Sequence, residues 1–186
     1  MVIYDCIKKD LYRYAGKSDL KSFLFYYFKS EGFKFSVWLR LCYFLRLKKI
    51  TKYTIFPLCK IFYKHYKYKF GYDISYSCEI GPGLLLFHIS GIVLSPKKIG
   101  KNATISQCTT VGMTIKDGIK NFPVIGDNVY LAPGSKVIGG ITIGNNVTVG
   151  ANCVVNSSIP NNAVAVGIPA RIISYEGASD YINNPI

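Results

Sequence analysis

From residue 71 onward, aliphatic side chains return every six positions. One run is Ile125, Leu131, Val137, Ile143, Val149 and Val155. A second in the same step is Val93, Ile99, Ile105 and Val111, and a third is Ile74, Ile80 and Leu86. The residue after the aliphatic is often Gly or Ala, as at Gly81, Gly100, Gly126, Ala132, Gly144 and Gly150. The fourth residue after it is small or β-branched, as at Ala103, Thr109, Val129, Ser135 and Cys153. A unit of this length makes a short strand plus a turn, and three units close one triangular coil. Each aliphatic then points inward and stacks on its copies in the coils above and below, building one continuous core. Small residues near the turns let the backbone change direction without steric cost.

The period therefore predicts a left-handed parallel β-helix over residues 71–173. Two interruptions stand out. Between Leu86 and Val93 the step is seven, so one extra residue is accommodated beside His88. Between Val111 and Ile125 it is fourteen, so residues 113–123 must leave the coil as a loop. Departures from a strict repeat tend to mark functional sites.

Composition divides the chain at the same place. Residues 1–70 hold 16 Lys/Arg, 4 Asp/Glu and 20 of the 27 aromatics, whereas residues 71–186 hold 7 Lys/Arg and 6 Asp/Glu. The first part reads as a basic, aromatic α-helical region, with an N-cap candidate at Ser18 and a break near Gly32. Residues 174–186 read as a C-terminal tail. Six scattered cysteines without CxxC spacing argue against both a disulfide framework and a zinc site, and fit a reducing, cytoplasmic setting. The N-terminus lacks the order of a signal peptide, and no uncharged apolar run approaches a bilayer's width.

The segment "LLLFHISGIVLS" (84–95) carries His88, one of only two histidines. Three roles compete for it: a packed core or interface histidine, a metal ligand, or a general base. A three-histidine zinc site fails on counting, so no metal is expected. A neutral imidazole, with an ordinary pKa of about 6.5, is matched to deprotonating an alcohol as it attacks.

From Asp73 to Ile173 the sequence resembles the serine acetyltransferase branch of the hexapeptide acyltransferases. The resemblance rests on "YDISYSCEIGPGLLLFHISGIVLS", "IGKNATISQCTTVG", "VIGDNVYLAPGSKVIGGITIGNNVTVGANCVV" and the closing "VAVGIPARII". As in that family, an Asp (Asp73) stands fifteen residues before the His, and a Gly (Gly91) three residues after it. The resemblance implies direct acetyl transfer from acetyl-coenzyme A, with His88 as base and Asp73 orienting its ring. Backbone N–H groups near Gly112 and Met113 would stabilise the oxyanion. Ala132, Gly150 and Ala151 would line the pantetheine arm, with Arg171 near the phosphates. It also implies a homotrimer or a multiple of one, with the site in a cleft between prisms under loop 113–123.

The chain departs from the family at the acceptor. Phe87 stands where the family has an Asp before the His, and Phe122 where it has a His before Pro123. Removing both charges leaves an apolar, aromatic acceptor pocket. The expectation is therefore O-acetylation of a saccharide hydroxyl, in a capsular or exopolysaccharide or its precursor. The alternatives are a serine O-acetyltransferase with an atypical acceptor site, and an inactive scaffold or anionic-surface binder. The basic first region suggests peripheral membrane contact at the inner face, while no nucleic-acid module is visible.

Overall fold

The computed structural model describes residues 3–186. Five helices come first: α1 (Ile3–Ala15), α2 (Leu20–Lys29), α3 (Glu31–Leu45), α4 (Lys49–Tyr53) and α5 (Phe56–Phe70). Asp19, not Ser18, caps α2, because its carboxylate accepts from Ser22 N at 2.8 Å. The break between α2 and α3 falls at Ser30, whose hydroxyl accepts from Phe33 N. Gly32 lies inside α3 for a packing reason. A Cβ there would stand 2.3 Å from the Leu86 carbonyl oxygen and 2.8 Å from Tyr14 Oη, so only glycine lets α3 approach the prism this closely. Gly32→Ala is expected to cost about 1–3 kcal/mol through overpacking, read as a lowered denaturation midpoint.

A left-handed Gly71 ends α5, and the parallel β-helix begins at Tyr72. Three sheets form its walls. The first holds strands Tyr72–Ile74, Ile92–Leu94, Thr110–Gly112, Lys136–Ile138 and Val154–Val155. Its core stack is Ile74, Leu94, Val111, Val137 and Val155. The second wall stacks Ile80, Ile99, Ile125 and Ile143, and the third Leu86, Ile105, Leu131, Val149 and Ala165. All these side chains are buried, as the six-residue period requires.

One member of the expected stack is corrected. Leu94, not Val93, points inward, while Val93 is half-buried. The irregularity beside His88 is thus longer than the period suggests. Its cause is a bulge in which His88, Ser90 and Gly91 all take left-handed φ values of 58°, 88° and 70°. The bulge resets which side chain faces the core.

The segment 113–123 is more than a loop. Thr114–Lys116 and Ile119–Asn121 pair antiparallel around a turn at Asp117 and Gly118, both with positive φ. It is a β-hairpin projecting from the prism, with Ile115 and Ile119 more than 60% exposed.

Polar side chains dock the helices onto the first coil. Asp10 and Arg40 form a buried pair (2.9 and 3.0 Å). Asp10 also accepts from Gly83 N and Leu84 N, and Arg40 donates to the carbonyls of Ile80 and Gly81. Arg13 donates to Gly83 O and Thr104 Oγ1. These contacts satisfy backbone groups that the first coil would otherwise leave without partners.

The C-terminal tail runs back along one corner of the prism. There Asn102, Asn128, Asn146 and Asn162 repeat the same left-handed turn. Asn146 Oδ1 accepts from Ala178 N at 2.9 Å, and Asn102 exchanges two hydrogen bonds of 3.1 Å with Ile186. Tyr181 stacks on Tyr130 with 4.8 Å between ring centroids. The tail then reaches α1, where the Asn183 carbonyl accepts from Arg13 Nε at 2.6 Å.

Candidate active site

The bulge presents His88 at the corner where the third wall turns into the first. Residues 87–91 are all exposed, so the imidazole is not a core histidine. Left-handed backbone at non-glycine residues costs on the order of 1–3 kcal/mol each and persists only where surroundings impose it. Here four backbone-directed bonds do so. Tyr72 Oη donates to His88 O at 2.7 Å. Ser90 N donates to Phe70 O, Cys108 N to Ser90 O, and Phe87 N to Ile105 O. Burial pushes the Tyr72 phenol well above its ordinary range, which keeps it a hydrogen-bond donor.

Below His88 the same corner carries Ala132, Gly150, Ala151 and the turn leading to exposed Arg171. The structure thus places His88 and all four residues expected to hold the coenzyme along one edge. Neighbouring atoms leave no room for side chains at two glycines of this edge: a Cβ on Gly134 would lie 2.1 Å from Asn152 Oδ1, and one on Gly150 2.8 Å from Val166 Cγ1. Ala132 itself is buried.

Two other expected groups are not brought to His88 within one prism. Gly112 ends its strand at the opposite edge of the first wall, and Met113 leads into the hairpin beyond it. Phe122 sits at the foot of that hairpin, while Phe87 lies beside His88 with ring centroids 6.1 Å apart. Both phenylalanines are 38% exposed.

Asp73 is also engaged elsewhere. Among the described residues it is joined to Lys67 (Nζ to Oδ1, 2.6 Å) and not to His88. Lys67 closes the last turn of α5, and a cavity of about 330 Å³ lies there, lined by Lys67, Tyr68, Gly71, Tyr72 and Asp73. Neither Lys67 nor Tyr72 stood out in the sequence. Both belong to the helix–strand junction, and only the fold sets Lys67 against Asp73 and Tyr72 against the bulge. Among the described residues no cluster of His, Cys, Asp or Glu could hold a metal ion.

Cys108 occupies this corner too, left-handed and exposed. Burial pushes the thiols of Cys6 up to about 11 and of Cys42 and Cys78 up to about 12. Only thiolates alkylate. Brief iodoacetamide treatment at neutral pH should therefore modify Cys108 ahead of these three, as peptide mass mapping would show; equal labelling would contradict the described burial.

Comparison with known proteins agrees with this architecture. Residues 122–157 match the family model described as bacterial transferase hexapeptide (six repeats). The serine acetyltransferase of Staphylococcus xylosus is 44% identical over 108 residues, covering 58% of this chain and 50% of that protein. The chain thus spans about half the length of the curated relatives it matches. Among solved structures, the soybean serine acetyltransferase apoenzyme is 31% identical, with a TM-score of 0.75 over 92% of this chain and 69% of its own. A serine acetyltransferase in complex with CoA is 27% identical, with a TM-score of 0.71 over 92% of this chain and 69% of its own. These findings overturn the saccharide acceptor expected from Phe87 and Phe122: the relatives and solved structures are named for serine, and two apolar replacements do not by themselves define a sugar site. Repeat, prism and matches agree that the chain belongs to the hexapeptide-repeat acyltransferases.

Proposed function

We propose that the chain transfers the acetyl group of acetyl-coenzyme A to the hydroxyl of serine, with His88 as general base. The observation that carries this reading is the exposed His88 bulge standing at the head of the corner that holds Ala132, Gly150 and Ala151, in a chain similar to serine acetyltransferases. Acetyl-coenzyme A supplies the activated thioester. The small residues Ala132, Gly150 and Ala151 would let a pantetheine arm approach the backbone along this edge, with Arg171 at its lower end for the phosphates. His88 takes the hydroxyl proton as the oxygen attacks the thioester carbonyl, and the departing thiolate is protonated in turn. Asp73 would orient the imidazole once released from Lys67. The freed ammonium of Lys67 would then meet the acceptor's carboxylate, a contact Phe122 cannot make.

The oxyanion donors near Gly112 and Met113 require a neighbour. In one prism they lie across the first wall from His88, and the hairpin beside them carries uncovered Ile115 and Ile119. A trimer that sets one prism's hairpin over the next prism's corner would unite these groups and cover both isoleucines. Light scattering should report a trimer or a multiple of one.

The direct test supplies purified protein with acetyl-coenzyme A and L-serine, following free thiol and O-acetylserine. Turnover on serine is expected, and Lys67→Met should raise KM for serine about tenfold, the scale of one charge-assisted contact. Absence of O-acetylserine at saturating substrates would overturn the assignment. An unchanged KM would remove Lys67 alone.

A further inference from the structure

Apart from Lys67 and Tyr68 at the end of α5, the surface formed by α4 and α5 has no part in the site described above. Between Glu31 and Asp73 the sequence has ten Lys/Arg and no acidic residue. Eight of these cations fall between Arg46 and Lys69. The helix α4 buries no residue at all. In α5 the buried residues are Phe56, Cys59, Tyr63 and Phe70, which face the prism and leave the opposite side of the helix bare. Large apolar side chains stand on this bare surface: Ile50 is 80% exposed, Tyr53 72%, Leu58 58%, Ile61 66% and Tyr68 75%. Such side chains, interleaved with lysines, are concentrated on two consecutive helices.

We infer that this face docks on an anionic lipid bilayer. Lysines would meet the lipid phosphates, while Ile50, Leu58 and Ile61 enter the boundary between headgroups and acyl chains and the tyrosines lie at headgroup level. The combination selects among occupants. A second copy would set this cationic face against itself, with no acidic residue on α4 or α5 to pair the lysines. A nucleic acid or other hydrophilic polyanion would satisfy the lysines yet offer no apolar phase for the isoleucines. A bilayer rich in acidic lipid supplies both. No helix among the described residues is long and apolar enough to cross a membrane, so the contact would be peripheral.

The test is vesicle sedimentation of the full chain, with phosphatidylcholine alone and with phosphatidylglycerol added. Binding is expected only with the anionic lipid, and high salt should release it. Lys48→Glu/Lys49→Glu/Lys52→Glu should weaken partitioning about a hundredfold or more, from roughly a fivefold loss per neutralised cation. Ile50→Ser/Ile61→Ser should weaken it as well, while both variants keep the wild-type circular dichroism and acetyl-transfer rate. Failure to bind anionic vesicles at low salt would overturn the inference. So would binding that survives the triple reversal, or binding to heparin and vesicles alike that ignores the isoleucines, which would mark a general polyanion surface. Self-association abolished by Ile50→Ser/Ile61→Ser without vesicle binding would identify a second copy as the occupant and equally overturn it.

Discussion

His88→Ala is expected to lower kcat for acetyl transfer about 10²–10⁴-fold, the usual worth of a positioned general base. The effect should fall on turnover, because no coenzyme contact is assigned to the imidazole. It should also leave the fold intact, since the bulge is held by the Tyr72 phenol and by the backbone N–H groups of Ser90, Cys108 and Phe87 rather than by the histidine ring. His88→Asn provides a control, because asparagine tolerates the left-handed φ of 58° but cannot act as a base. Both variants should lose activity together. Asp73→Asn should lose less, since the ring keeps its place while its tautomer is less firmly set. Wild-type turnover in either His88 variant would return the histidine to a structural role.

Asp10→Ala should be the most destabilising single change, costing about 3–5 kcal/mol, because it strands a buried charge. Its carboxylate is fully buried and meets Arg40 in two hydrogen bonds and the N–H groups of Gly83 and Leu84 in two more. Arg40 is 4% exposed, so without Asp10 its guanidinium keeps only the carbonyls of Ile80 and Gly81. For a chain of this size the loss corresponds to a fall in Tm on the order of 10 °C. Asp10→Ala/Arg40→Met should recover part of it, because removing both charges restores balance. A Tm within two degrees or so of wild type for Asp10→Ala would mean that the helices are held by apolar packing alone.

Much of this architecture was legible in the sequence, and the limits have physical causes. The six-residue step located all three walls, because every coil repeats one local environment. It misplaced Val93 for Leu94, because positive φ at His88 and Ser90, two residues that seldom adopt it, changes the pleat ahead of Gly91. The hairpin was readable in principle: Asp117-Gly118 between β-prone residues is a turn signal, and it was outweighed by the mere length of the interruption. Contacts such as Asp10–Arg40 or Lys67–Asp73 leave no periodic trace, since each is one pair formed by docking. At the acceptor, Phe87 and Phe122 showed which charges were missing but could not show what replaces them, and Lys67 only becomes visible once α5 meets the first strand.

The returning tail changes how such a prism can come apart. Stacked coils ordinarily behave as a one-dimensional array whose ends fray, each coil held only by its neighbours. Here Gly177 and Ala178 are fastened to the coil of Asn146 and Thr148, Ile186 to that of Asn102, and Asn183 to α1. Loosening the final coil therefore also releases the strap that holds the second coil and α1, turning a zipper into a buckle. Slow-exchanging amides in the Val164–Val166 strand should accordingly report global opening, not local fraying from the end.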